Sequence, residues 1–166
     1  MPRLYLVRHA DATDLGESRA TADADRALTP KGRRQARRVA ALIKAAGTDN
    51  PLVVSSPLLR AMQTAEILAR SLSQEGVASS PSLAPGGDPE GILRTLRSVK
   101  DRDLVAVGHA PDIARTAAWL IGAPPHSQIE FKKAGTAAIR FEDNIGPGLA
   151  TLEWLIQPRL IKAHCT

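Results

Sequence analysis

The sequence predicts an α/β fold: a three-layer sandwich with a mostly parallel central sheet, helices on both faces and an antiparallel C-terminal strand pair. Short apolar runs alternate with stretches of helical periodicity from residue 4 to about residue 121. Leu104-Val105-Ala106-Val107 is apolar throughout, which marks a strand covered on both faces. Thr136 to Phe141 and Leu149 to Ile156 follow each other across Gly146-Pro147-Gly148 with no helical pattern between them, so they pair antiparallel at one side of the sheet.

Each element has its own signal. Leu4 to Val7 is a short buried strand that ends in Arg8 and His9. Residues 11 to 27 are polar with little periodicity, a loop longer than a compact domain usually tolerates without a use for it. Thr29-Pro30 opens a helix, threonine as cap and proline in the first turn, with Val39, Leu42, Ile43 and Ala46 as its apolar stripe and Gly47 as its stop. Pro51 to Ser55 is a second strand. Ser56 as cap and Pro57 as first residue start a helix that runs to about Leu72, and a weak third strand lies around Val77. Pro85-Gly86-Gly87 is a turn, and Asp88-Pro89 repeats the cap-plus-proline start ahead of Ile92, Leu93, Leu96 and Val99. After the central strand, Gly108-His109-Ala110 leads to Pro111, which opens a helix carrying Ile113, Ala117, Leu120 and Ile121, and Pro124-Pro125 breaks the pattern.

Composition narrows the function classes. A chain of 166 residues is expected to form one domain, residues 1–166, with a core made aliphatic by a 3% aromatic content. No apolar run approaches the ~20 residues of a membrane span, and Met1-Pro2-Arg3 leads into the first strand without a signal peptide, so a cytoplasmic protein with no membrane partner is expected. Cys165 stands alone, without a disulfide or metal-site partner, and is read as a bystander. The net charge of +5 suits an anionic substrate or an acidic partner. Arg33, Arg34, Arg37 and Arg38 form the densest basic cluster; without interleaved aromatics they are a solvated helix face in preference to a nucleic-acid patch.

In a parallel α/β sheet, sites lie beyond the C-terminal ends of the strands. That rule gathers Arg8 and His9 after the first strand, Arg60 in the helix turn after the second, and His109 after the central one. Taken singly, each has a plainer reading: a histidine ending a strand is commonly structural, and an arginine early in a helix is commonly exposed. Zinc ligation is disfavoured, because the spacing is wrong and two arginines would repel the cation. Together the four suit phosphoryl transfer. A neutral imidazole attacks phosphorus, and guanidinium forks match the phosphate oxygens and stabilise the charge of the transition state.

These residues also carry a resemblance. Leu6-Val7-Arg8-His9-Ala10 resembles the R-H-G signature of the histidine phosphatase superfamily, the phosphoglycerate-mutase-like fold. Leu28-Thr29-Pro30-Lys31-Gly32-Arg33-Arg34-Gln35-Ala36 is similar to its L-T-x-x-G-x-x-Q-A segment, and the run from Ser55 to Ala65 is similar to S-S-P-x-x-R-A-x-Q-T-A. Val107-Gly108-His109 resembles the second-histidine motif. The resemblance implies His9 as the phosphorylated nucleophile, with Arg8, Arg60 and His109 as catalytic residues that bind the phosphoryl group, and no metal or cofactor. Small size and a compact Asp11-to-Arg26 loop look most like the SixA-type phosphohistidine phosphatases. That implies hydrolysis of phosphate from a histidine phosphotransfer domain, and a monomer. Arg26 is a further substrate contact.

Two departures stand out. Ala10 replaces the usual glycine, for which a slight backbone adjustment is expected. The glutamate that protonates an alcohol leaving group in many members is not identifiable, and Glu17, Asp88 and Asp14 are the stand-ins. Imidazole, with a pKa of ~6.5, leaves with little help, so a missing acid favours an N–P substrate over an ester. The alternatives are a phosphatase for a small phosphomonoester such as a sugar phosphate and, from another class, a phosphoprotein-binding module without turnover. A mutase is weaker still, since nothing marks a bisphosphate site.

Overall fold

The computed structural model describes residues 2–17, 20–99, 101–124 and 126–161; Pro125 of the predicted Pro124-Pro125 break, and Cys165, lie outside them. One six-stranded mixed sheet, in the order β3-β2-β4-β1-β5-β6, organises them. Its strands are β1 (Arg3–Arg8), β2 (Leu52–Ser55), β3 (Ala78–Ser79), β4 (Leu104–Gly108), β5 (Thr136–Phe141) and β6 (Ala150–Ile156). β4 lies between β2 and β1 and is parallel to both, with Leu4 opposite Leu104 and Leu52 opposite Leu104. The unbroken apolar run of β4 therefore reflects a central strand, buried at every residue. β5 turns antiparallel against β1, and β6 antiparallel against β5, as the missing helix between them requires.

The helices are α1 (Pro30–Ala45), α2 (Leu59–Ser71), α3 (Pro89–Ser98) and α4 (Asp112–Leu120). Side-chain alternation along the strands sorts them into two layers. Tyr5, Val7, Val105 and Val107 pack with Val39 and Ile43 of α1 and Ala65 and Leu68 of α2. Leu4, Leu6, Leu104 and Ala106 point the other way and pack with Leu93 and Leu96 of α3 and Ile113 and Leu120 of α4. Each fully buried Leu or Ile contributes roughly 1.5–3 kcal/mol of burial free energy, so two such cores, one per face, hold the sandwich together.

Helix starts follow the expected chemistry with one correction. Thr29 accepts a hydrogen bond from Gly32 N at α1, and Asp88 accepts one from Glu90 N at α3. α2 starts later than predicted: Leu58, not Ser56, is the capping residue, and Pro57 lies outside the helix. The Ser56 hydroxyl is engaged elsewhere, 2.8 Å from His109 Nε2, and only a 3.3 Å bond from Leu58 N ties it to the helix start. The predicted third strand around Val77 is two residues long, Ala78–Ser79, at the sheet edge. The loop of residues 11–27 is tied down at its ends by an Ala12–Leu28 bridge and a bond from Thr13 N to Ala27 O of 2.9 Å. Within it a short 3-10 turn, Asp23–Asp25, approaches α2. Among the described residues, no helix is long and apolar enough to cross a membrane.

Candidate functional site

Arg8, His9, Arg60 and His109 come together at the C-terminal edge of the sheet, as the topology rule requires. β1 and β4 run side by side with Arg8 opposite Gly108, so the residues that follow, His9 and His109, emerge as neighbours. Their rings lie 5.1 Å apart between centroids. Arg60, in the first turn of α2, reaches across with its Nε donating to His9 Nε2 at 3.3 Å.

The tautomer of His9 is set by its partners. Nδ1 lies 2.8 Å from Ala10 O, and a carbonyl only accepts, so Nδ1 carries the proton. Nε2 is left with a lone pair, which the Arg60 Nε–H meets. Burial pushes the His9 pKa down to about 3, with His109, Arg60 and Arg8 acting in the same direction against the Ala10 bond. The imidazole is thus neutral and nucleophilic at physiological pH. Burial and then Arg60 likewise push His109 down to about 4.

Two buried side-chain nitrogens among the described residues have no hydrogen-bond partner, Arg8 Nε and His109 Nδ1. Both belong to this site. Orphaned buried polar atoms are rare and costly, about 1–3 kcal/mol each, and here both belong to residues of the cluster around His9. Arg8 is steered by a bond from Nη1 to Phe131 O of 2.7 Å, and His109 by Ser56. Each orphan is a nitrogen that an anionic oxygen could satisfy.

The motif segments hold this geometry from behind. Thr64 Oγ1 accepts from Ala10 N at 3.1 Å and donates to Arg60 O at 2.7 Å, which couples the end of β1 to the turn bearing Arg60. Gln35 Oε1 accepts from Asp11 N at 2.9 Å, and Gln63 Oε1 from Leu28 N at 2.8 Å. Gly32 allows α1 to approach the chain beyond His9, since a Cβ there would lie 2.0 Å from Asp11 O. Ala10 is fully buried and is not among the residues with positive φ, so the position makes no demand that only glycine meets.

Asp23 is the site residue that sequence reasoning missed. Its main-chain oxygen accepts from Arg60 Nη1 at 2.8 Å and its Oδ2 from Arg60 Nη2 at 3.0 Å, so a carboxylate stands on the Arg60 fork. Hydrogen bonds from Arg26 and then Arg60 hold its carboxyl below the usual range, and it is an anion at neutral pH. The only sequence signal was Asp23 three residues before Arg26 in an aperiodic loop. Arg26 itself braces the loop: Nε donates to Thr13 O at 2.6 Å, Nη1 to Asp23 Oδ1 at 3.0 Å, and Nη2 lies 3.5 Å from Asp14. It touches the cluster through Asp23. Of the acid stand-ins, Asp88 caps α3 and pairs with Arg94 at 3.3 Å, Asp14 pairs with Arg26, and Glu17 is solvent-exposed.

Comparison with known proteins bears on the fold and the family. Residues 4–84 match the family model of the histidine phosphatase superfamily (branch 1). An uncharacterized protein of Picosynechococcus sp. is 35% identical over 140 residues, covering 82% of this chain and 84% of that protein. The phosphohistidine phosphatase SixA of Escherichia coli K12 is 26% identical over 164 residues, 96% of each chain. The structure of the protein histidine phosphatase SixA complexed with tungstate superposes with a TM-score of 0.81 at 26% identity, over 96% of this chain and 99% of that one.

Proposed function

The chain belongs to the histidine phosphatase superfamily, and from that premise we propose that it hydrolyses phosphohistidine on a phosphotransfer protein through a covalent phospho-His9 intermediate. The observation that carries this reading is the His9 Nε2 lone pair bordered by Arg60 Nε, with Arg8 Nε and His109 Nδ1 both lacking partners. In the first half-reaction Nε2 attacks phosphorus; an N–P bond forms to His9 as the bond to the leaving imidazole breaks. Arg8, Arg60 and His109 hold the equatorial oxygens, and the positive charge the transition state needs comes from the two guanidinium groups. In the second half-reaction water attacks the phosphoryl group, phosphate leaves, and Nε2 regains its lone pair. On this reading Asp23, already ionised, takes the proton of that water when it lets go of Arg60.

The substrate class rests on the leaving group. An alcohol needs a proton donor, and Asp23 is a carboxylate at neutral pH, not an acid. The leaving nitrogen of a phosphorylated imidazole has a second ring nitrogen through which it is protonated before the bond breaks, so it departs neutral without help.

The test uses a phosphotransfer domain phosphorylated on histidine, with the parent and His9→Ala compared. The parent releases phosphate, with and without EDTA, and His9→Ala does not; equal rates would end the role of His9. A panel of sugar phosphates runs alongside, and faster turnover of any ester than of the phosphoprotein would move the function to small phosphomonoesters.

A further inference from the structure

Next to the phosphoryl site lies an open groove of about 670 Å³ that shares Arg8 with it. One wall is the outer face of α1, where Lys31, Arg34 and Arg38 recur at helical spacing and so point the same way. The other wall carries Lys132, Lys133 and Arg159. Among the described residues one carboxylate lines it, Asp11, and Lys133 Nζ already neutralises that at 2.7 Å. Lys31, Arg34, Arg38 and Arg159 make no ion pair among the described residues. Lys132 has a partner in Glu130, but the four unpaired cations cost stability through self-repulsion, so their convergence on one groove points to an anionic occupant.

From this geometry, and resting on the phosphohistidine reading above, we propose that the groove docks the acidic protein face that surrounds the partner's phosphohistidine. Three features select that occupant. The α1 cations span about 10 Å along the helix axis, so one small phosphoester with a single extra carboxylate would meet only one or two of them. A folded acidic surface meets them all while its phosphohistidine enters beside Arg8. Among the described residues the groove holds no aromatic side chain on which nucleobases could stack, which disfavours a single-stranded nucleic acid. The main chain of its far wall is also pre-set: Gln157 Oε1 accepts from Lys132 N at 2.9 Å and its Nε2 donates to Glu130 O at 2.7 Å, which lowers the cost of ordering that segment on docking. The second groove at the site, about 430 Å³ and bordered by His109, is lined by Leu83, Ile92, Ile113 and Trp119 and offers no comparable charge.

The experiment compares two substrates, a phosphotransfer domain carrying Asp and Glu residues around its phosphohistidine and free N-phosphohistidine. In Arg34→Glu/Arg38→Glu, kcat/KM for the phosphodomain falls about 10- to 100-fold at low salt, chiefly through KM, and the gap closes as salt screens the charges. Turnover of free N-phosphohistidine stays at the parent value, which also reports that the variant is folded. Should that variant fail to fold, Arg34→Gln and the salt dependence of the parent give the same comparison at smaller amplitude. An undiminished rate on the phosphodomain, or equal losses on both substrates, overturns the docking role and leaves the activity standing. A single-stranded oligonucleotide bound more tightly than the phosphodomain, and lost in the same variant, would assign the groove to nucleic acid and overturn it too. A parent that cleaves neither phosphohistidine substrate would sink the activity and the docking role together.

Discussion

Acidification tests the electrostatics of the site without any substrate. His9 and His109 carry folded-state pKa values pushed down to about 3 and about 4, against an ordinary value of 6.5. With folded values depressed, their contribution to stability is complete above pH 6.5 and drains away as pH falls toward the folded values, because the unfolded chain takes up protons that the native site refuses. Between pH 7 and pH 5 each histidine withdraws about 2 kcal/mol, so the pair removes close to 4 kcal/mol from a total of roughly 5–15 kcal/mol. Asp11 and Asp23, whose pKa values are lowered, begin to withdraw stability only below that window. Urea unfolding followed by circular dichroism at pH 7, 6 and 5, in buffers free of phosphate and sulfate, measures the loss. His9→Gln is expected to show about half the parent's loss. A parent that loses less than about 1 kcal/mol over this range, or a His9→Gln variant that loses as much as the parent, would refute the claim that the site holds these rings neutral.

Three further outcomes follow from the same geometry. Thr64→Val strips Ala10 N of its acceptor and should cost about 1–3 kcal/mol in thermal or urea unfolding, with kcat falling more than KM changes as His9 and Arg60 lose their common tether. Gly32→Ala would place a Cβ against Asp11 O, and a destabilisation of about 1–3 kcal/mol is expected from unfolding curves, with a neutral result contradicting the close approach. Asp23→Asn removes the negative charge standing on the Arg60 fork; tungstate should then inhibit more strongly while turnover drops, and unchanged inhibition would mean that Asp23 does not compete with the oxyanion.

The convergence of Arg8, His9, Arg60 and His109 was legible because strand and helix periodicity and the placement of sites at strand C-termini bring them to one edge. β4 announced itself by an unbroken apolar run, and its position between β2 and β1 is what brings His109 beside His9. Asp23 was illegible for the opposite reason: its loop has no period, and its approach to Arg60 depends on a short 3-10 turn and on Arg26 bracing it. The late start of α2 was hidden as well. Serine before proline is the expected cap, but tertiary structure drew Ser56 toward His109, a use that no local pattern records. Along α1, spacing predicts a common face for Lys31, Arg34 and Arg38, yet only the fold shows that Lys132, Lys133 and Arg159 lie across from it.

Trapping the phosphoenzyme tests the central claim most directly. The protein is mixed with a radiolabelled phosphohistidine domain, quenched within the first turnover in denaturant at alkaline pH, and digested for mapping. The nucleophile proposed here predicts an alkali-stable, acid-labile label on the peptide containing His9, absent from His9→Ala and decaying as free phosphate appears. Label on any other residue, or full-rate phosphate release with no phosphoenzyme and no need for His9, would contradict it.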